Sequence, residues 1–439
     1  MVLQSTNMFQ LSARLSVRMC CRYVQTASAA VSQKPRRESL KNSRDRDVFP
    51  VLETVLTQIR HDVLLKDTYK GRVIGKKKRG IELLNNKLDV SNLSVSSVTE
   101  KLKVLTQQEL IDFVEDLARS ALSEGTCDTD VNILQTVENE CCLRAKNWDS
   151  AALLLVADAF FVLRYRCSHY FSAMFREFEH RWKSMAVGKE DVVQLAMCII
   201  VGRKLPLLLV RHIENFVNSN AEEFSAGELS VICLAFFITN TSFGNVDVME
   251  KLASAVLHSL PSGSLKVSQL GSILKALRHA HFSKLSFYNK LGNSLSSSTI
   301  LQTESTLNDL SNIAFTYASL RVSSPALFTS VSTNAVRLIQ NRSHVRSKDV
   351  GRLVWSFALL REPLDEVVQN HLLFLLRRDV RLMEQFPQAF VEALLGLAMM
   401  QKYPVDLLQR LFSTKVPKDK HGAVNFTVLY CTLLIAVCD

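Results

Sequence analysis

Ten Lys and Arg side chains fall between residues 252 and 348, against two carboxylates, Glu304 and Asp309. Lys275, Arg278, Lys284, Arg321, Arg342, Arg346 and Lys348 belong to this zone, and Arg352 lies just beyond it. The chemistry of such a set is phosphate binding. Lysine and arginine displace counterions from a polyanion, and guanidinium planes also stack on unpaired bases. Trp355 joins the set because it sits off the apolar stripe of its own segment and offers a flat face to a base. Tyr317 and Phe357 lie on that stripe and are expected in the core. Arg342, Arg346 and Lys348 gather just ahead of Val350, where a helix N-terminus would add backbone N–H donors. Removing these three together is expected to weaken RNA binding. The same charges are also compatible with a solvated face, or with an internal match to residues 81–251, which hold 16 basic and 24 acidic residues.

Other chemistry finds little support. The ten cysteines (Cys20, Cys21, Cys127, Cys141, Cys142, Cys167, Cys198, Cys233, Cys431 and Cys438) form no CxxC pair. Cys198 and Cys233 sit inside apolar helical runs and read as small core residues. His279 and His281 are separated by one residue, so on a helix they diverge and would not share a metal. GRVIGKKK at Gly71 has three residues between its glycines and no Ser or Thr after the lysine, which excludes a phosphate-binding loop of the Walker type. No GxSxG, HExxH, HRD or DFG motif occurs. No catalytic residue, metal ligand or cofactor is therefore assigned, and no small-molecule substrate is expected.

The cations must be positioned by helices. One amphipathic phrase returns seven times, starting at Leu153, Val193, Leu229, Leu270, Leu310, Val350 and Val391, with steps of 40, 36, 41, 40, 40 and 41 residues. Apolar residues occupy the first, fourth, fifth and eighth positions of each phrase, as in Leu310, Ile313, Ala314 and Tyr317. That spacing lines one face of a helix. A second amphipathic stretch follows several copies, and Pro206, Pro325, Pro363 and Pro404 fall between the two arms. Proline lacks an amide donor and belongs there rather than inside a helix. A fixed period of this size predicts an all-α, right-handed superhelical solenoid of seven to eight αα-hairpins. The stretch at Leu110 fits the same template, so 97–150 is expected to form N-terminal capping helices and 151–417 the repeats. No segment is long and apolar enough for a membrane span.

The formal charge of +11 is misleading, because residues 1–80 alone hold 17 basic and 6 acidic residues. Residues 1–37 contain six basic residues and no acid. Arg14, Arg18 and Arg22 share one helical face, with Met8, Leu11 and Leu15 available for an apolar one. This is the composition of a mitochondrial presequence. Residues 38–96, with the cluster Lys70–Gly80, read as a polar linker. The last segment, 418–439, is apolar and β-branched without helical amphipathicity. It reads as a strand of an unfinished module, a buried end-cap or an alternative terminus.

Several phrases resemble one known family. RSKDVGRLVWSFALL (Arg346–Leu360), EALLGLAMMQKYPVDLL (Glu392–Leu408) and LSVICLAFF (Leu229–Phe237) are similar to the FAST kinase domain-containing proteins of mitochondria. LLLVADAFF from Leu153 and SKLSFYNKLG from Ser283 support the likeness, which covers roughly 148–417. The resemblance implies a matrix protein, associated with RNA granules or the nucleoid, that binds mitochondrial mRNA precursors and acts in their processing, maturation and stability. Its implied partners are those precursors and matrix RNA-processing proteins. Protein kinase activity is not implied. Family members end in a RAP domain, a small nuclease-like module. Nothing after Pro417 matches it, so 418–439 is expected as an irregular tail in its place, and nuclease activity is not expected of this chain. An RNA-independent protein-interaction scaffold of the matrix, docking partners through its acidic repeats, is the alternative.

Overall fold

The computed structural model describes residues 58–64, 94–124, 130–341, 345–379 and 387–413. The segments read as presequence (1–37) and C-terminal tail (418–439), most of the linker, and Arg342 lie outside them. The chain divides into two compact units, Arg44–Phe282 and Ser283–Asp439 with Met1–Ser43. Among the described residues, every regular element is helical.

In the unit Arg44–Phe282 the helices are α1 (Val95–Val104), α2 (Gln107–Glu124), α3 (Val131–Arg144), α4 (Ser150–Val162), α5 (Ser168–Arg181), α6 (Lys189–Gly202), α7 (Leu207–Asn220), α8 (Ala226–Ile238), α9 (Val246–Ser259) and α10 (Val267–His279). The even-numbered helices pack one on the next from α2 to α10, and the odd-numbered ones do the same from α1 to α9. Sequence explains the two layers. The even helices touch neighbours on both sides, so α6 is buried from Asp191 to Ile200 and α8 from Ala226 to Phe236. A helix apolar nearly all round must be enclosed. The odd helices keep one solvated face, as in α9, whose buried residues are Val248, Met249, Leu252, Ala253 and Val256.

Polar groups fix the joints. Glu138 on α3, only 2% exposed, accepts hydrogen bonds from the Tyr165 hydroxyl and from the backbone N–H groups of His169 and Tyr170, each at 2.9 Å. It thereby caps the start of α5 from the preceding hairpin. Part of the segment read as linker belongs to this unit too. The turn Arg60–Leu64 buries Val63 and Leu64 and lies against α8. Its Asp62 pairs with Lys266 at 3.0 Å.

In the unit Ser283–Asp439 the helices are α11 (Leu285–Ser297), α12 (Ile300–Thr303), α13 (Leu307–Leu320), α14 (Pro325–Gln340), α15 (Ser347–Leu360), α16 (Glu366–Arg378), α17 (Pro387–Met399) and α18 (Val405–Ser413). Helices α13, α15 and α17 stack in one layer; α11, α14 and α16 stack in the other. An aromatic chain joins the layers. Tyr288 meets Tyr317 at 5.6 Å, Tyr317 meets Phe328 at 6.4 Å and Phe328 meets Phe357 at 4.7 Å, all edge-on. The Tyr317 hydroxyl donates to the Tyr288 carbonyl at 2.8 Å, which satisfies its buried polar end.

Helices α15 and α17 approach through glycine. A Cβ on Gly396 would stand 2.9 Å from the backbone N and Cα of Trp355, atoms that cannot step aside. Gly271 is also buried in a helix, but a Cβ there meets nothing within 4 Å. Gly396→Ala is expected to lower stability by about 1–3 kcal/mol through overpacking. Gly271→Ala should be neutral or stabilising by up to about 1 kcal/mol through helix propensity. Urea denaturation of both variants checks the pair; equal midpoints would contradict this packing.

One backbone feature repeats at every described joint that follows a first arm from α4 onward. Arg164, Arg203, Asn240 and His281 in the first unit, and Arg321, Arg361 and Gln401 in the second, have positive φ between 52° and 62°. At most of these joints the positive-φ residue and the next one donate backwards to the helix end. Arg321 N–H reaches Ala318 O at 3.1 Å, and Val322 N–H reaches Tyr317 O at 3.0 Å. This closure usually takes glycine, because an L side chain in the left-handed region costs about 1–2 kcal/mol.

Candidate nucleic-acid interface

The basic zone gains its character from where its acids go. Asp309 is 6% exposed and accepts from the Thr306 backbone N–H (3.0 Å) and hydroxyl (2.7 Å), closing a capping box on α13. Only Glu304 of the two carboxylates in 252–348 is left at the surface. Asp349, just beyond, is 2% exposed. Asp191 and Glu228 hold the starts of α6 and α8 in the same way, by accepting from Gly188 N–H and Ser225 N–H. Carboxylates thus face inward at the helix starts, and the zone presents mostly cations outward.

The candidate residues divide between the units. In Arg44–Phe282, half-buried Lys275 places its ammonium 6.0 Å above the Phe237 ring, and half-buried Arg278 sits one turn further along α10. His279, next to it, lies within hydrogen-bond distance of Ser242 Oγ (2.8 Å) and Asn240 Oδ1 (3.1 Å). It therefore serves the joint between α8 and α10, while His281 stands exposed at the left-handed position.

In Ser283–Asp439, Lys284 is exposed immediately before α11, and Arg321 is exposed at the left-handed joint after α13. A denser cluster lies on α13 and α15. The Arg352 guanidinium rests 5.0 Å from the centre of the Phe315 ring and donates to Asn312 Oδ1 at 3.2 Å. The Trp355 and Phe315 rings are 5.4 Å apart, and both are half-buried, whereas Tyr317 and Phe357 are fully buried. Lys348 is half-buried nearby. Burial and the neighbouring guanidiniums of Arg346 and Arg352 push its ammonium below the usual lysine range, with Asp349 partly opposing. A phosphate brought to this cluster would relieve that repulsion.

Arg346 is placed differently from its neighbours. Its Nε and Nη2 reach the two Asp349 oxygens at 2.7 and 3.2 Å, and Nη2 also donates to Asn308 Oδ1 at 3.0 Å. It straps the start of α15 to α13, and that carboxylate already engages the groups a phosphate would use. Arg342 lies outside the described residues. Of the trio expected ahead of Val350, Lys348 has the described geometry that best suits a ligand.

Two members of the pattern escaped the sequence reading. Phe315 completes an aromatic pair that Trp355 alone only hinted at. Counting back in steps of about 40 from Arg361 and Arg321 leads to His281, Asn240, Arg203 and Arg164. The counterpart of Arg321 and Arg361 after α10 is therefore His281. Among the described residues, no group of His, Cys, Asp and Glu is arranged to hold a metal, and no helix is long and apolar enough to cross a membrane. The described cysteines Cys141, Cys167, Cys198 and Cys233 are buried and Cys142 is half-buried, and burial raises the thiol pKa of each.

No family model matches the chain. Curated relatives do. FAST kinase domain-containing protein 5, mitochondrial, from human is 24% identical over 314 residues, covering 70% of this chain and 39% of that protein. Its mouse counterpart is 25% identical over 283 residues, covering 63% and 35% respectively. The chain thus spans well under half the length of these relatives.

Proposed function

We propose that the chain is a mitochondrial RNA-binding protein of the FAST kinase domain-containing family, acting in processing, maturation and stability of mitochondrially encoded mRNA. The relatives' names support the family and the mitochondrial location. The proposed site of action is the matrix, with RNA granules or the nucleoid. The observation that carries the RNA reading is the α13–α15 surface. Lys348, Arg352, Phe315 and Trp355 bring cations and flat rings together, in a zone whose carboxylates are largely turned inward. Stacked hairpins within each unit support the repeat solenoid, an architecture that offers an extended surface rather than one catalytic pocket. Single-stranded RNA uses both parts of such a surface, phosphates on the cations and bases on the rings.

Crosslinking and sequencing of RNA bound to this chain, recovered from purified mitochondria, tests the reading. Enrichment of particular mitochondrial transcripts is expected. Import without enrichment would contradict it. If partner proteins also stayed bound after ribonuclease treatment, the acidic repeats of residues 81–251 would instead make the chain a protein scaffold.

A further inference from the structure

The left-handed joints form a pattern that the α13–α15 cluster does not explain. In each unit the residue with positive φ is exposed, and it is Arg at four of the seven joints: Arg164, Arg203, Arg321 and Arg361. Glycine would close these turns without strain. A cation also suits the negative end of a helix dipole, but one in the last turn at ordinary φ supplies that benefit as well. Dipole compensation therefore does not account for the repeated use of a strained backbone position.

Within the units, the residue that opens the following arm is also apolar and exposed at three joints, whereas Ser168, Pro325 and Glu366 open the arms after Arg164, Arg321 and Arg361. Leu207 is 70% exposed, Val246 57% and Val405 63%, each a few residues after such a joint. Isolated exposed apolar side chains are ordinary; their recurrence beside an exposed polar or cationic joint is not. Charge is positive around Arg164, Arg203 and Arg321, whereas Arg361 is followed by Glu362, which accepts a hydrogen bond from Ser323 Oγ at 2.8 Å, and by the exposed Asp365 and Glu366.

We propose that within each unit the edge formed by these joints is a second track for single-stranded RNA, distinct from the ring-and-cation surface of α13 and α15. The joint arginines hold phosphates, and Leu207, Val246 and Val405, which open the arms after Arg203, Asn240 and Gln401, lie against base faces. The inference rests on the RNA-binding reading and adds to it Arg164 and Arg203, which lie in the acidic part of the sequence. Base faces are accessible only in an unpaired strand, so the occupant is single-stranded and not duplex RNA. Neighbouring packed helices lie about 8–10 Å apart, which brings successive joints within reach of one extended strand.

The test uses the full chain, a fluorescein-labelled oligouridylate, and the double variants Arg321→Gly with Arg361→Gly and Arg321→Lys with Arg361→Lys. Glycine is favoured at these φ values, so the glycine variant is expected to melt at or above the wild-type temperature. Its affinity at low salt is expected to fall about tenfold, as two phosphate contacts are lost. The lysine variant, which keeps the charge, is expected to stay within about threefold of wild type. A glycine variant that binds like wild type overturns the track and leaves the RNA reading standing. A clearly lower melting temperature overturns it too, by showing that the arginines are structural. Wild-type chain that fails to bind overturns both. If the substitutions weaken binding to phosphatidylglycerol vesicles but not to RNA, the edge is a membrane contact and the proposal falls.

Discussion

Phe357→Ala is expected to cost about 3–5 kcal/mol, the range for removing a fully buried phenylalanine ring. Phe357 is 0% exposed and ends the aromatic chain from Tyr288 through Tyr317 and Phe328, with its ring 4.7 Å from that of Phe328. Helices α13 and α14 supply Tyr317 and Phe328, so the cavity would loosen two hairpins at once. Trp355, two residues earlier, is the informative contrast. It is half-buried against Phe315. Trp355→Ala should therefore cost clearly less stability than Phe357→Ala, yet weaken RNA binding by removing a stacking face, worth about 1–3 kcal/mol per base. Chemical denaturation and RNA titration of the two variants separate the roles. A Trp355 variant that binds RNA like wild type would remove the ring from the interface.

Glu138→Ala should cost about 3 kcal/mol. The carboxylate accepts three hydrogen bonds at the joint between α4 and α5, and the Tyr170 N–H that it satisfies is buried. Deleting the acceptor leaves the buried Tyr170 N–H without a partner, and hydrogen bonds to a charged group are each worth about 1.5–3 kcal/mol. Glu138→Gln keeps one carbonyl oxygen and should recover part of the loss. Guanidinium unfolding of both variants checks the order, wild type above Gln above Ala. If Ala matched wild type, the buried cap would have no energetic role.

Much of this was legible in the sequence, because the phase of the repeat fixes burial. The positions assigned to the apolar stripe, Tyr317 and Phe357 among them, are enclosed, and Trp355 off the stripe is not. The prolines placed between arms sit at joints, Pro325 as the first residue of α14, where its missing N–H costs nothing. The left-handed joints were hidden for a physical reason. What repeats there is a backbone conformation, and although Arg holds four of the seven joints, Asn, His and Gln adopt it too, so residue type alone does not locate the position. Arg278 and Arg321 belong to one basic zone by charge, whereas the backbone pairs Arg321 with His281 and Arg361. Arg346 is a cation by residue type, but Asp349, three residues on, engages its guanidinium. The inward turn of Asp309 was written in the Thr306-to-Asp309 spacing of a capping box, but net charge counts a buried cap and a surface acid alike.

The proposed function requires the helical body itself to hold single-stranded RNA through phosphate contacts. Equilibrium titration of the full chain with a labelled single-stranded RNA across a range of salt concentrations tests it most directly. With about four phosphates contacted, affinity should fall about 50-fold for a fourfold rise in salt. A matched duplex should bind more weakly than the single strand. Absence of binding at low salt, or binding that does not respond to salt, would contradict the account.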